Sequence, residues 1–263
     1  MGDRNSLESV LRLLDARTHS YAEVRPTRPG LLLVCAQVPG AAETADLTGP
    51  RVLLLADLLA RVAELGSLQV FYVLASDGQQ PDLERAIEAL GIHPPAARAS
   101  SAEAQTALGG PIDVHLASRS APADDHLGGL AVPVGPARPH PPAGPAEGLL
   151  AGDEPSAVRL ALLSVPYHQP ADLTEEMLAE ARTTVEHWRL RVAEWAKSPS
   201  RPVPAQIAET IQSAFGDLDT VSALALLRGL EADPDVPAGA KFETFLYVDR
   251  ILGLDLPRDI GRA

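Results

Sequence analysis

With 263 residues of 46% hydrophobic composition, the chain is long enough to bury a full core, as one large domain or two modest ones. A single cysteine excludes an internal disulfide and argues against a multi-thiolate metal site. The net charge of −13 is spread along the chain, 11 Arg against 17 Asp and Glu in residues 1–150 and 11 Lys and Arg against 18 in residues 151–263, so neither half is a basic, nucleic-acid-binding one.

No run reaches the roughly 18 apolar residues of a membrane helix, and the start MGDRNSLESVLRLL lacks the basic region and apolar core of a signal peptide. A cytoplasmic protein without a membrane partner is therefore expected. Asn5 to Ala16 sets Leu7, Val10, Leu11 and Leu14 at helical spacing behind a capping box of Asn5 and Glu8, which predicts a short leading helix. Leu31 to Val73 then predicts a βαβ unit: a buried strand ending at Cys35, a Gly/Pro/Ala loop, an amphipathic helix and the strand LQVFYV. In open α/β sheets the ligand crevice lies beyond the carboxyl ends of the strands, so Ala36 to Pro50 is the expected ligand loop. It is poor in reactive groups.

A helix beginning at Pro81 or Asp82 and ending at Gly91 comes next, stopped by Pro94 and Pro95. The small, polar stretch 96–111 reads as a connection holding one helical turn. Ile112 to Ser118 predicts a strand, and Leu127 to Gly135 an edge strand because of Pro133. Pro136 to Gly152 is rich in Pro, Gly and Ala and reads as a linker, dividing a Rossmann-like domain, 1–135, from a helical domain, 153–263.

Beyond Asp153 the pattern is helical throughout. PSAVRLALLSV is a short apolar helix, and Asp172 to Lys197 a long one, opened by Asp172 with Glu175 three residues on. Leu173, Met177, Ala181, Val185, Trp188, Val192 and Trp195 give it one continuous stripe, on which the two tryptophans are expected to pack in the core rather than form a binding platform. Ile207, Ile211 and Phe215 mark a third helix, Val221 to Leu230 a fourth and Ala240 to Leu252 a fifth, so an antiparallel bundle is expected.

Ser156 to Arg189, SAVRLALLSVPYHQPADLTEEMLAEARTTVEHWR, resembles the segment after the catalytic lysine loop of cysteinyl-tRNA synthetases and of the related cysteine ligase of mycothiol biosynthesis. GDLDTVSALALLRGL, Gly216 to Leu230, is similar to the same families' D-D-L-D-T-P-x-A-L helix, with Asp217, Asp219 and Thr220 in matching order. In the first half, LLLVCAQVP is similar to the strand end that carries a zinc-ligating cysteine, and RVLLLADLLARVAELGSLQVFYV to the helix and strand after the ATP-binding H-I-G-H turn. RAIEALGIHPPAARASSAEA and IDVH, Ile112 to His115, continue the likeness, whereas a long insertion expected between Ala104 and Leu108 is missing. The resemblance implies a class I α/β fold: a reduced Rossmann-like parallel-sheet domain followed by a C-terminal α-helical bundle.

The departures fall on the groups that perform the family's chemistry. Class I synthetases hold ATP phosphates with the two histidines of H-I-G-H at a helix N-terminus; here Asp46, Leu47, Thr48 and Gly49 stand in their place. The lysine loop K-M-S-K-S follows V-x-V-G, but here VPVG, Val132 to Gly135, leads into PARPHPP, and the only lysines are Lys197 and Lys241. Arg138 offers a positive charge there, though its planar guanidinium is no equivalent of a lysine. The family's zinc takes two Cys, one His and one Glu, whereas this chain offers Cys35 with His115 or His126 as neighbours, so no zinc is expected.

Bland readings stand beside these. Cys35 is either a packing residue or a thiol exposed in the crevice, with packing favoured. His115 is expected to be a hydrogen-bonded structural histidine, Asp124, Asp125 and His126 a solvated loop, and His168 a packing residue. No residue is assigned a catalytic role. The residues that would contact a substrate or nucleotide are, by resemblance, Cys35, Asp46, Thr48, Gly49, His115 and Arg138, with ATP and zinc as cofactors only if the family activity persists. The expected function is a non-catalytic binding or regulatory relative working through a protein partner, without tRNA. The alternative is a cut-down ATP-dependent ligase transferring cysteine or another small amino acid to a small amine, carrier or tRNA.

Overall fold

The computed structural model describes residues 11–38, 47–76, 81–118, 128–140 and 155–262. Strands β1 (Arg12–Asp15) and β2 (Ser20–Glu23) form an antiparallel hairpin. This corrects the expected leading helix over its described part, while Asn5 and Glu8 of the capping box lie outside the described residues. The 3.6-residue pattern gives way because Leu13 and Asp15 turn inward at the two-residue period of a strand, and the ladder to β2 satisfies their backbone.

Strands β3 (Leu31–Gln37), β4 (Gln69–Ala75), β5 (Ala97–Ala99), β6 (Val114–Ser118) and β7 (Leu130–Val134) make one all-parallel sheet in the order β5-β4-β3-β6-β7. The order reverses between β3 and β6, which is the topological switch point of a doubly wound sheet. The strand at 97–99 was hidden within the expected polar connection, and β7, which carries Pro133, lies at an edge as expected.

Helix α1 (Thr48–Leu65) and helix α2 (Pro81–Ala89) cover one face of the sheet; the five-residue α3 (Ala104–Leu108) packs on the other, against β4 and β5. The Leu/Ala run of α1 favours helix, but α1 is not amphipathic. Residues 50–60 are all buried, because the sheet takes one side and the C-terminal helices take the other.

The Pro/Gly-rich stretch begins, unexpectedly, with a strand. β8 (Ala137–His140) pairs in parallel with β9 (Ala171–Thr174), only Gly135 and Pro136 separating it from β7; residues 141–154 lie outside the described set. Helix α4 (Pro155–Leu163) precedes β9, so the C-terminal part is not wholly helical. Asp172 lies in β9, and the long helix α5 (Glu175–Trp195) is opened instead by Thr174, whose hydroxyl accepts from Met177 N at 3.2 Å.

Helices α6 (Ala205–Gly216), α7 (Thr220–Ala232) and α8 (Ala238–Leu252), then a 3₁₀ turn at Leu256–Asp259, complete the fold. Trp188 and Trp195 are buried edge-on against Phe245 at 5.5 and 5.0 Å, so they belong to the core. That core runs without a break from Leu32 and Val34 through α1 to Leu256. Among the described residues no helix is long and apolar enough to cross a membrane.

Candidate functional site

The N-terminal pole of α1 is where the class of fold and the family resemblance both direct attention. No side chain caps it. Instead, Leu47 N donates to Ala137 O at 2.9 Å and Ala137 N donates to Thr48 Oγ1 at 3.0 Å, so β8 is stitched across the helix start. Leu47 and Thr48 are buried, and a Cβ built on Gly49 would touch Leu83 of α2 at 3.4 Å. The turn is covered from two sides.

Arg51, one turn in, is 3% exposed and spends its guanidinium on main-chain carbonyls. Nη1 reaches Gly135 O at 3.1 Å, Pro136 O at 3.3 Å and Gln169 O at 2.6 Å; Nη2 reaches Val165 O at 3.1 Å and Pro166 O at 3.0 Å. Burial pushes this guanidinium down to about 10, which leaves it charged at neutral pH. Gly135 sits so close to the 165–170 turn that a Cβ there would lie 2.0 Å from Gln169 O. After Val134, therefore, the chain passes through a tight two-residue connection directly into β8.

Among the described residues, the expected site residues fall on two faces of the sheet. Thr48 and Gly49 lie at the α1 pole; Arg138, next to the bonded Ala137, lies on the exposed side of β8 with Asp172 as its register partner. Cys35 and His115 are register partners on β3 and β6 and share the opposite face of the sheet. Asp46 lies outside the described residues, as do Asp124, Asp125 and His126. Cys35 packs with Val73, Ala75, Ala104 and Ile112, and burial pushes its thiol up to about 11, so the packing reading holds. His168 stacks edge-on with Tyr167 at 5.3 Å. Among the described residues no group of three or more His, Cys, Asp or Glu side chains could hold a metal ion.

Sequence reasoning missed the buried charges. Asp57 is fully buried and accepts from Arg159 Nη2 at 2.6 Å, Arg61 Nε at 2.9 Å, His93 N at 3.0 Å, with His93 Nδ1 at 2.7 Å. Burial alone would raise its pKa, but the charges of Arg159 and Arg61 and these hydrogen bonds hold it below the usual carboxylate range. The available signal was a lone Asp inside LLLADLLA with Arg four residues on. A cavity of about 20 Å³ between α1, α4 and α7, lined by Arg51, Leu55, Leu162, Tyr167 and Thr220, has room for a water and for no larger ligand.

The fold defines a Rossmann-like α/β protein with a parallel sheet and C-terminal helices. No family model matches the chain. It is 34% identical over 116 residues to the L-cysteine:1D-myo-inositol 2-amino-2-deoxy-alpha-D-glucopyranoside ligase of Thermobifida fusca, covering 41% of this chain and 26% of that protein. The ligase of the same name from Rhodococcus jostii is 35% identical over 113 residues, 41% of this chain and 26% of its own. Cysteine--tRNA ligase of Paracoccus denitrificans is 36% identical over 104 residues, 40% of this chain and 20% of its own. Over about 40% of its length the chain is therefore similar to the cysteine ligases and cysteine--tRNA ligase, and it spans about a quarter of the length of the curated relatives it matches.

Proposed function

We propose that this chain is a non-catalytic binding or regulatory relative of the cysteine ligases, acting in the cytoplasm through a protein partner. One observation carries the reading: the α1 pole, where an ATP phosphate would be held, is taken up by the chain's own Ala137 and by Arg51 bound to five carbonyls. A phosphate at a helix N-terminus needs N–H groups and the positive end of the helix dipole facing open space. Here Leu47 N is already spent on a carbonyl, and the nearest buried cation, Arg51, has both Nη1 and Nη2 turned to main-chain carbonyls. The absence of any lysine before Lys197 supports the same reading. Pyrophosphate exchange screened over all amino acids tests it: no exchange above blank is expected, and cysteine-dependent exchange would overturn it.

The names of the matched relatives support an alternative, a cut-down ATP-dependent cysteine ligase. Arg138, exposed on β8 beside the pole, would then have to serve the phosphates. Exchange that is present in the parent and lost in Arg138→Ala would select that alternative.

A further inference from the structure

Charged side chains on and around α1 tie the sheet part of the molecule to the helical part. From α1, Arg51 holds the carbonyls of Val165, Pro166 and Gln169, and Arg61 Nη1 holds Arg250 O of α8 at 3.2 Å while Nη2 holds Gly91 O at 3.0 Å. From α4, Arg159 reaches back to Asp57 of α1 and to Leu90 O at 2.7 Å, and its Nε holds Leu252 O at the end of α8 at 2.5 Å. At the hairpin, Arg12 forms a two-pronged pair with Asp217 at 2.7 and 2.6 Å, and Leu14 N donates to Tyr167 Oη at 2.9 Å.

The hydrocarbon around these groups belongs to the same continuous core. Interfaces between separately moving domains are ordinarily polar and modest in size. This one is different in kind. Parting the two halves would leave Asp57 without Arg159, and Arg159 without its carboxylate, in apolar surroundings where an unpaired charge is costly.

We propose that the two halves fold and unfold as one cooperative unit with α1 as the shared axis, so that no hinge between them opens or closes the crevice. The inference holds for a binding protein and for a ligase alike, and its test is independent of either activity. Trp188 and Trp195, the only tryptophans, report on the helical half, and Cys35, the only cysteine, reports on the sheet. Urea unfolding of the whole chain is followed by tryptophan fluorescence and, at each urea concentration, by a brief pulse of maleimide on Cys35.

The expected result is two superimposable transitions, and an Arg61→Ala variant, which keeps the Asp57–Arg159 pair, in which both midpoints fall together by about 0.5 M. Loss of the tryptophan signal while Cys35 is still protected, the reverse order, or a shift of only one midpoint in Arg61→Ala would overturn it. If the variant does not accumulate, the wild-type comparison alone decides.

Discussion

The two faces of the central sheet are built to different depths. On one, Leu32, Val34 and Ala36 meet α1, which is itself enclosed by α2 and the C-terminal helices in a core that runs on to Leu256. On the other, Cys35, Val73 and Ala75 meet Ala104 and Ile112 under the short helix α3, and Phe71 of β4 stays 48% exposed. The same division separates the residues that the family resemblance brings into one site: Thr48 and Gly49 belong to the deep face, Cys35 and His115 to the shallow one. On the deep face Thr48 accepts from Ala137 N, Arg51 holds main-chain carbonyls and Asp57 is bonded to Arg159 and Arg61.

The largest expected effect lies at the centre of the deep face. Asp57→Ala strips Arg159 of the buried carboxylate it is hydrogen-bonded to and should cost about 3–5 kcal/mol in urea unfolding. Asp57 also sets a pH dependence. Its folded pKa is depressed, so its contribution is complete above the ordinary carboxylate value of about 3.9 and fades as pH falls through the lower folded value. Asp57→Asn should accordingly flatten the acid limb of a stability profile below about pH 4.

At the pole, Arg51→Met keeps the stem but orphans the carbonyls of Gly135, Val165 and Gln169, an expected loss of about 3 kcal/mol by the same measurement. Thr48→Val removes the acceptor for Ala137 N and should cost about 1–2 kcal/mol. On the shallow face, Cys35→Ala should cost about 1 kcal/mol, since only a sulfur is lost among small neighbours. With its thiol raised to about 11, Cys35 in the folded protein should react with iodoacetamide far more slowly than free cysteine at pH 7.5. A Cys35→Ala cost exceeding that of Thr48→Val would break the contrast between the faces.

Much of this architecture is legible in the sequence where the decisive contacts are local. The apolar runs at 31–37 and 69–75, and the Leu/Ala helix between them, announce the βαβ unit, and the stripe from Ala181 to Trp195 announces the long helix. Strands β8 and β9 are illegible for the opposite reason. ARPH and ADLT have no strand pattern of their own and become strands because Ala137 and Ala171 find each other across 34 residues of chain. Residues 12–15 look helical beside Leu7 and Val10 until Ser20–Glu23 supplies a partner ladder. Thr48 and Gly49 lie in the first turn of α1, and the bonding of that turn to Ala137 is a contact that no local pattern reveals.

The closure of the α1 pole is tested most directly by isothermal titration of the intact protein with ATP and Mg²⁺, with and without cysteine. No binding heat is expected at millimolar ATP in either case. Saturable ATP binding that Thr48→Val or Arg51→Met alters would contradict it.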